Sequence, residues 1–502
     1  MSGAETPPKD EPTSEILTKS EKKDDFCSES GPFRTVLMIA ILLIINTLNY
    51  MDRYTVSGVL TSVQTYYSIN DSTGGLIHTV FLVFYMFASP FCGFLSDRYN
   101  RKWIIFVGIA IWVVAVLGST FVPPNLFWVF LLMRGLVGIG EASYSVVAPT
   151  VIADMFTDVM RSRMLMLFYF AIPVGSGLGF IVGSVVSSWT GQWQWGIRIT
   201  AILGFGCLIL IILFFRDPER GRAEKKKNGE IKGEVEDSSY FDTLVDLCSN
   251  VTFITSTIGY TAIIFVVGML AWWLPTAILQ GEAWDKGLNS TEDLPRDKKI
   301  SLNFGFGATV CFGGIFGVAL GTTLSFLLKK GLPPFFFQTR RADALVCALG
   351  SVFTIPVFFF LLTNLITENG TLRTTIFFLV IIFTSFNWAT NVDLLMSVVI
   401  PQRRGVATSY QFLLSHLFGD GSSPYLIGLL SDSLRGSEDS PRARYDSLVT
   451  SFKFCFAPIF LSGVFFLVAA YYTVRDQDKA ASIMGKIDKR EGRSSRSSPV
   501  DA

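Results

Sequence analysis

Long apolar runs separated by short polar segments set the pattern of this chain. Each run has 20 or more residues, which is enough for a helix to cross a hydrocarbon layer of about 30 Å. The runs span residues 35–61, 74–96, 103–122, 126–154, 162–189, 195–215, 251–280, 302–328, 342–366, 372–400, 405–432 and 448–474. The pattern predicts an all-α polytopic membrane protein with twelve transmembrane helices.

The polar segments divide these runs into two groups of six. Residues 217–247, rich in Lys, Glu and Gly, form the longest connection between runs. We therefore expect an N-terminal six-helix bundle at 34–216, a cytoplasmic linker, and a C-terminal six-helix bundle at 248–475. The polar segments 1–33 and 476–502 are predicted to be disordered cytoplasmic tails. No cleavable signal peptide is visible.

Composition excludes a soluble globular protein. The hydrophobic fraction is 50%, the mean hydropathy is +0.45 and charged residues make up 17%, below the roughly 25% of soluble domains. Motifs of metalloproteases, P-loop enzymes and serine hydrolases are absent. We therefore expect no enzyme activity, no metal, no cofactor and no nucleic-acid partner, and we expect a monomer in a lipid bilayer.

The charges of the loops predict the orientation. Basic residues concentrate in alternate loops, whereas loops 62–73, 120–126 and 190–194 carry no Lys or Arg. By the positive-inside rule, both termini are expected in the cytoplasm. Three N-x-S/T sequons, at Asn70, Asn289 and Asn369, fall in the loops on the other side, which is where glycosylation occurs.

The loop after the second run carries a motif that predicts a gate. It reads Gly93-Phe-Leu-Ser-Asp97-Arg98-Tyr-Asn100-Arg101-Lys102 and resembles the G-x-x-x-D-R/K-x-G-R-R/K signature of the major facilitator superfamily. Two six-helix bundles joined by a linker also fit this superfamily, in which the halves rock about a central substrate. The residues expected in the cytoplasmic gate are Gly93, Asp97, Arg98, Arg101, Asp154 and Arg161.

Two departures from the signature bear on this gate. Asn100 stands where the signature has glycine, and asparagine tolerates the left-handed backbone that such a turn would use. The matching loop of the second half keeps Gly321 but has Ser325 in place of the aspartate. We therefore expect a weaker latch in the second half.

Charged residues inside the runs are the main candidates for chemistry. Arg134 and Glu141 lie in the fourth run, two helical turns and about 10 Å apart. Asp52 and Arg53 lie in the first. A charge at the bilayer centre costs roughly 2.5–3.5 kcal/mol, so it normally has a partner or faces a polar pathway.

Several longer motifs resemble the spinster family of this superfamily, and the resemblance extends over all twelve runs. The motifs are Asn46-x-x-Asn49-Tyr50-Met51-Asp52-Arg53, Arg134-Gly-Leu-Val-Gly-Ile-Gly-Glu-Ala-Ser-Tyr-Ser, Tyr169-Phe-Ala-Ile-Pro-Val-Gly-Ser-Gly-Leu-Gly, Asn387-Trp-Ala, Val399-Ile-Pro-x-Arg-Arg404 and Ser415-His416-x-x-Gly419-Asp420-x-x-Ser-Pro424-Tyr. The resemblance implies an exporter of lysophospholipids or sphingoid phosphates in the late endosome, lysosome or plasma membrane, coupled in some members to protons.

Roles for the buried charges follow as hypotheses. Burial and a neighbouring cation shift the pKa of a carboxylate in opposite directions, which suits Asp52 and Glu141 to proton coupling. Arg134 suits the phosphate of an anionic lipid because guanidinium binds such groups through two donors. Arg53 would either bind substrate or hold Asp52. The alternative is a static ion-pair network joining the first and fourth helices.

Other polar residues have two interpretations each. Asn49, Asn387 and Asn391 would bind a head group or bridge helices. His416, near Asp420, would take part in proton coupling or bridge helices. Pro173 and Pro424 would mark hinges. Stripes of glycine, at 175, 179 and 183 and at 313, 317 and 321, predict close helix packing.

The leading prediction is a secondary active transporter of a single-chain anionic or zwitterionic lipid. One alternative is a transporter of the same fold for a small organic anion. Another is a membrane receptor or scaffold that transports nothing, which the set Asp52, Asp97, Arg134 and Glu141 disfavours.

Overall fold

Two helical bundles connected by the central linker make up this computed structural model. It describes residues 26–156, 158–218, 240–331, 338–366, 369–400 and 403–494. Most of the predicted N-terminal tail and the central part of the linker, 219–239, lie outside the described residues. No strand occurs in the described part of the chain.

The first half contains seven α-helices. They are α1 (Phe26–Gly58), α2 (Leu60–Tyr67), α3 (Asp71–Arg98), α4 (Arg101–Ser119), α5 (Phe127–Met155), α6 (Asp158–Thr190) and α7 (Trp193–Phe214). The second half follows a short helix, α8 (Tyr240–Ser249). Its members are α9 (Val251–Asp285), α10 (Arg296–Lys330), α11 (Ala342–Thr363), α12 (Gly370–Val398), α13 (Arg404–Ser415), α14 (Ser423–Arg435), α15 (Pro441–Phe452) and α16 (Phe456–Ser494).

Eleven spans in the described residues are long and apolar enough to cross a membrane. The exception among the predicted spans is 405–432, where α13 and α14 are separate helices joined by a π turn at His416–Asp420. Gly419 has non-helical φ and ψ of −93° and −106°. Pro424 therefore opens α14 instead of bending a continuous helix, because proline is well tolerated in a first helical turn.

The end of the chain also differs from expectation. We predicted a disordered tail from residue 476, but α16 continues to Ser494. Asp476 is buried, and its carboxylate accepts hydrogen bonds from the backbone N and the Oγ1 of Thr252 at 2.9 and 2.7 Å. This contact holds the extension of α16 against the first turn of α9.

The glycine stripes pack helices within each half. A Cβ at Gly175, Gly179 or Gly183 would meet the backbone of α1 at 2.5–2.9 Å. The stripe 313, 317 and 321 faces α12 in the same way. The two halves approach through different glycines, because Gly177 of α6 lies against the backbone of Gly307 of α10.

Consecutive spans alternate in direction, which defines two sides of the bundle. The linker side is where α3, α5 and α7 end, and the opposite side is where α4 and α6 end. The hydrogen bonds and ion pairs that join the halves within the described residues lie towards the opposite side. They include Ser57 to the carbonyls of Ala271 and Trp272, and Asp71 to Arg435.

Candidate functional site: buried charge pairs between α1 and α5

Four charged side chains lie in the interior of the first half. Asp52 and Arg53 come from the last part of α1, and Arg134 and Glu141 come from α5. Their exposed fractions are 0, 7, 2 and 0% respectively. Ionised groups withdrawn from water to this extent need partners of opposite charge, and the structure supplies them as two pairs.

The first pair joins Asp52 to Arg134. Oδ2 of Asp52 lies 3.2 Å from Nη2 of Arg134. The Oγ1 of Thr200 on α7 donates to Oδ1 of Asp52 at 2.7 Å, and the indole N–H of Trp112 on α4 donates to Oδ2 at 3.4 Å. Asp52 is therefore bound by three other helices inside the first bundle.

The second pair joins Arg53 to Glu141. Nη2 of Arg53 lies 2.9 Å from Oε2 of Glu141. The guanidinium carbon stands 4.8 Å from the ring centroids of both Tyr50 and Phe81, within the range of cation–π attraction. Ser57, one turn further along α1, donates to the carbonyls of Ala271 and Trp272 of the second half, which places this pair near the interface between the halves.

This pairing corrects one prediction. Arg53 holds Glu141 and not Asp52, although Arg53 and Asp52 are adjacent in sequence. Successive residues of a helix point about 100° apart, so these two side chains reach different turns of α5. The two charges of α5 do not pair with each other, since each one finds its partner on α1.

Several atoms of these pairs keep unused hydrogen-bonding capacity. Nε and Nη1 of Arg134, Nε of Arg53 and Oε1 of Glu141 are buried and have no hydrogen-bond partner in the described part of the chain. An unsatisfied buried polar group costs about 1–3 kcal/mol, and more when it is charged. The cluster can thus donate further hydrogen bonds to an anion and accept one from a donor.

The three candidate asparagines fall into two groups. Asn391 bridges helices, because its Nδ2 donates to Gln411 at 2.8 Å and Gln411 donates to Thr257 at 3.2 Å. Asn49 and Asn387 are 1 and 0% exposed, and neither side-chain amide has a partner among the described residues. The side-chain amides of Asn49 and Asn387 are therefore available to a ligand, whereas Nδ2 of Asn391 already donates to Gln411.

His416 makes a hydrogen bond within the π turn. Its Nδ1 lies 2.9 and 3.1 Å from the two carboxylate oxygens of Asp420, and its ring stacks on Phe412. The turn packs tightly on α9, since a Cβ at Gly268 would overlap Asp420. Because the partner of His416 lies one turn further along the same segment, this bond does not bridge to another helix.

On the linker side, Arg101 is the centre of the expected gate. Its Nη1 lies 2.5 Å from Oδ2 of Asp154, and its backbone N donates to Asp217 at 2.8 Å. The contact with Asp154 lies within the first half, and Asp217 is the first residue of the linker. The side chain of Asp97 is outside the described residues.

The other gate residues lie close by on the linker side. Gly93 faces Val146 of α5, Arg98 stacks 3.9 Å above the ring of Phe94, and Arg161 donates to the backbone carbonyl that ends α5. The structure thus gathers these residues at one end of the first half.

Asn100 and the second-half loop differ from expectation. Asn100 is not left-handed: with φ −65° and ψ 118° it caps α4 and accepts from the backbone N of Lys102. In the second half, Ser325 donates to Asp343 at 2.5 Å, and Lys329 pairs with the same carboxylate at 2.7 Å. Asp343, at the start of α11, thus supplies the carboxylate that is missing at Ser325. Aligning the two loops does not reveal this, because Asp343 lies outside the motif.

Sequence analysis missed two partners of the central site. Thr200 and Trp112 lie in apolar runs, where they look like ordinary core residues. Their role becomes visible only when the buried carboxylate of Asp52 is seen beside them. The spacing of residues in the sequence does not predict that α1, α4 and α7 meet at this point.

A cleft of about 620 Å³ lies between the halves towards the opposite side. Its lining includes Ser184, Arg296 and Lys299, and none of the four buried charges. The charge pairs therefore lie apart from this open space, inside the protein.

Comparisons with known proteins agree with the fold. The sequence profile of the Major Facilitator Superfamily matches residues 42–419. Among solved structures, a bacterial homolog of the human lysosomal transporter Spinster, in an inward-facing and unoccupied conformation, superposes with a TM-score of 0.74. The identity is 20%, and the match covers 89% of this chain and 98% of that one.

Two relatives are similar at the level of sequence. Protein spinster homolog 1 of Homo sapiens is 43% identical over 455 residues, 90% of this chain and 83% of its own length. The sphingosine-1-phosphate transporter SPNS2 of Danio rerio is 39% identical over 462 residues, 90% and 88% of the two chains. The chain therefore belongs to the spinster family of the major facilitator superfamily, and it is a polytopic membrane transporter and not an enzyme.

Proposed function

We propose that this transporter moves a single-chain anionic or zwitterionic lipid, of the lysophospholipid or sphingosine-1-phosphate type, by rocking its two halves, and that protons drive it. The observation that carries the proposal is the set of two buried arginine–carboxylate pairs with unused donors and an unused acceptor. The residues that would bind substrate are Arg134, Arg53, Asn49 and Asn387, whereas the amide donor of Asn391 is used to bridge helices.

The arginines suit the phosphate of such a lipid. Arg134 uses only Nη2 for Asp52, so Nε and Nη1 remain as donors. Each can donate to a phosphate oxygen, and such charge-assisted bonds are stronger in a low-dielectric interior. The free amides of Asn49 and Asn387 would add neutral donors for the remainder of the head group.

The carboxylates give a reason for proton coupling. Each arginine has one carboxylate partner, and a lipid phosphate would compete with that partner for the same donors. A proton bound to Glu141 or Asp52 neutralises the carboxylate and frees its arginine for the phosphate. Loss of the proton restores the pair and expels the lipid. His416, hydrogen-bonded to Asp420 in the other half, is the third residue that we assign to proton coupling.

The lipid class is supported by a relative and by the surroundings of the site. The Danio rerio relative is a sphingosine-1-phosphate transporter. Arg53 is flanked by the aromatic rings of Tyr50, Phe81 and Tyr85. A cation surrounded by aromatic rings suits a ligand with a charged head and an apolar tail better than it suits a small hydrated anion.

The orientation and location belong to the same proposal. The linker side would face the cytoplasm, with both termini, because the basic loops lie there. The membrane would be that of the late endosome or lysosome, or the plasma membrane. Asn289 is exposed and free to carry a glycan, whereas the side-chain oxygens of Asn70 and Asn369 cap α3 and α12.

Efflux of labelled lipid from cells tests the proposal. Cells expressing matched amounts of wild type, Arg134→Ala or Glu141→Gln are loaded with lysophosphatidylcholine or sphingosine-1-phosphate, and efflux is followed at two pH values. Arg373→Gln is the matched control, because Arg373 is also buried and paired, with Glu282, away from the site.

We expect Arg134→Ala to abolish efflux, Glu141→Gln to remove its pH dependence, and Arg373→Gln to retain both. If wild type moves neither lipid under any gradient, the lipid assignment is wrong and a small organic anion becomes the better candidate.

A further inference from the structure

The end of α14 repeats the motif at the end of α3. Residues 93–97 read Gly-Phe-Leu-Ser-Asp and residues 428–432 read Gly-Leu-Leu-Ser-Asp, so they differ only at the second position. Arg98 directly follows the aspartate of the first copy, whereas Arg435 lies three residues after the aspartate of the second. The two helices end on different sides of the bundle: α3 on the linker side, and α14 on the opposite side.

The second copy makes an ordered contact with the other half. Oδ1 of Asp432 accepts from the backbone N of Asp71 at 3.0 Å, and Oδ2 accepts from the backbone N of Ser72 at 2.7 Å. These are the first two residues of α3, a helix of 28 residues. A carboxylate at this position satisfies free backbone donors and complements the positive end of the helix dipole.

A buried ion pair accompanies this cap. Nη1 of Arg435 lies 2.5 Å from Oδ2 of Asp71, and its Nη2 lies 2.7 Å from Asp432. Ser431 and Gln64 also donate to Asp71, at 2.9 Å each. Asp71 is only 1% exposed, so these bonds form in a space from which water is largely excluded.

Two glycines allow the helices to come this close. A Cβ at Gly428 would overlap the carbonyl of Asp71, and a Cβ at Gly75 would overlap the carbonyl of Pro424. The bonds of Asp432 and Arg435 therefore depend on direct backbone contact between α3 and α14. This backbone contact joins the two halves on the opposite side.

We infer that residues 428–435 form a second gating latch, inverted relative to the motif at residues 93–102, which holds the opposite side closed by capping α3. Opening that side requires Asp432 to leave the N-terminus of α3 and Arg435 to leave Asp71. Asp432 and Arg435 are thus positioning residues for transport, and they do not touch the cargo. The inference rests on the rocking movement of the proposed function and not on the identity of the lipid.

Distances between spin labels on the two halves test this latch without any substrate. In full-length protein with its seven native cysteines replaced, one label pair at Gln192 and Ser437 reports the opposite side. A second pair at Met160 and Lys330 reports the linker side. All four positions are exposed. The variants are Asp432→Asn, Arg435→Gln and the control Asp439→Asn, which removes an exposed carboxylate of the adjoining loop.

We expect Asp432→Asn and Arg435→Gln to lengthen the opposite-side distance and shorten the linker-side distance. A lost charge-assisted bond should shift the ratio of the two states by about tenfold or more. Asp97→Asn, in the first copy, should not lengthen the opposite-side distance.

The latch is overturned if both variants leave the distances as in Asp439→Asn, or if Asp97→Asn opens the opposite side as they do. Arg435→Gln keeps the test decisive if Asp432→Asn does not fold. If the distances change as expected but wild type does not export lipid, the lipid assignment is wrong and the latch is still supported.

Discussion

At the scale of single residues, the adjacency of Asp52 and Arg53 organises the site. The sequence analysis identified all four buried charges, because charges are rare in apolar runs and stand out there. It did not predict which carboxylate holds which arginine. That choice depends on the rotation of α1 against α5, and no residue spacing reports the rotation. The same reason hid the hydrogen bond from Thr200 to Asp52.

The pairing predicts which double variants recover stability. Arg53→Gln leaves Glu141 buried without its partner, which should cost about 3–5 kcal/mol. Adding Glu141→Gln removes the stranded charge and should recover most of the loss. Adding Asp52→Asn instead should recover nothing, because Asp52 belongs to Arg134. Thermal unfolding midpoints of the purified variants in detergent measure the difference. Equal recovery by both double variants would contradict the pairing.

A second prediction concerns Thr200. Thr200→Val keeps the shape of the side chain and removes the donor to Oδ1 of Asp52. We expect a loss of about 1.5–3 kcal/mol from one hydrogen bond to a charged group, together with a changed pH dependence of transport. Thr190→Val is the control, since Thr190 is exposed and bonds only to nearby backbone. An unchanged pH profile in Thr200→Val would contradict a role of Asp52 in proton coupling.

At the scale of helices, the periodicity of the sequence predicted most elements. It failed where a contact between distant parts of the chain determines where a helix ends. The apolar run 405–432 is continuous in sequence, but Gly419 and the tight contact of Gly268 with Asp420 divide it into two helices. The polar segment after residue 475 looked disordered, but Asp476 binds the start of α9 and helix continues to Ser494. In both cases a long-range contact overrides the local pattern.

Close contact between α6 and α10 predicts a sensitive glycine. A Cβ at Gly177 would lie 2.5 Å from the carbonyl oxygen of Gly307, across the interface of the halves. Gly177→Ala should therefore force the halves apart on the opposite side and lower the transport rate by on the order of tenfold. Gly206→Ala, where a Cβ meets nothing within 4 Å, should transport normally. Initial rates at matched expression provide the test, and equal rates for the two variants would contradict it.

At the scale of the whole molecule, the halves have different tasks. The first half contains the pairs Asp52–Arg134 and Arg53–Glu141, whereas the second half contributes the π turn with His416 and the inverted motif at α14. The two-bundle layout followed from the positions of the runs and the linker. The sequence did not predict that the halves are joined on the opposite side, because one sequence encodes both states of a rocking transporter.

The most direct test of the central claim is accumulation of labelled lysolipid in proteoliposomes across an imposed pH gradient. We expect the gradient to drive accumulation by wild type. Glu141→Gln should still exchange lipid without accumulating it. Its partner Arg53 can still bind a head group, but residue 141 can no longer bind a proton, so the gradient is not coupled to lipid binding. Accumulation by wild type that is the same with and without the gradient would contradict proton coupling at these buried pairs.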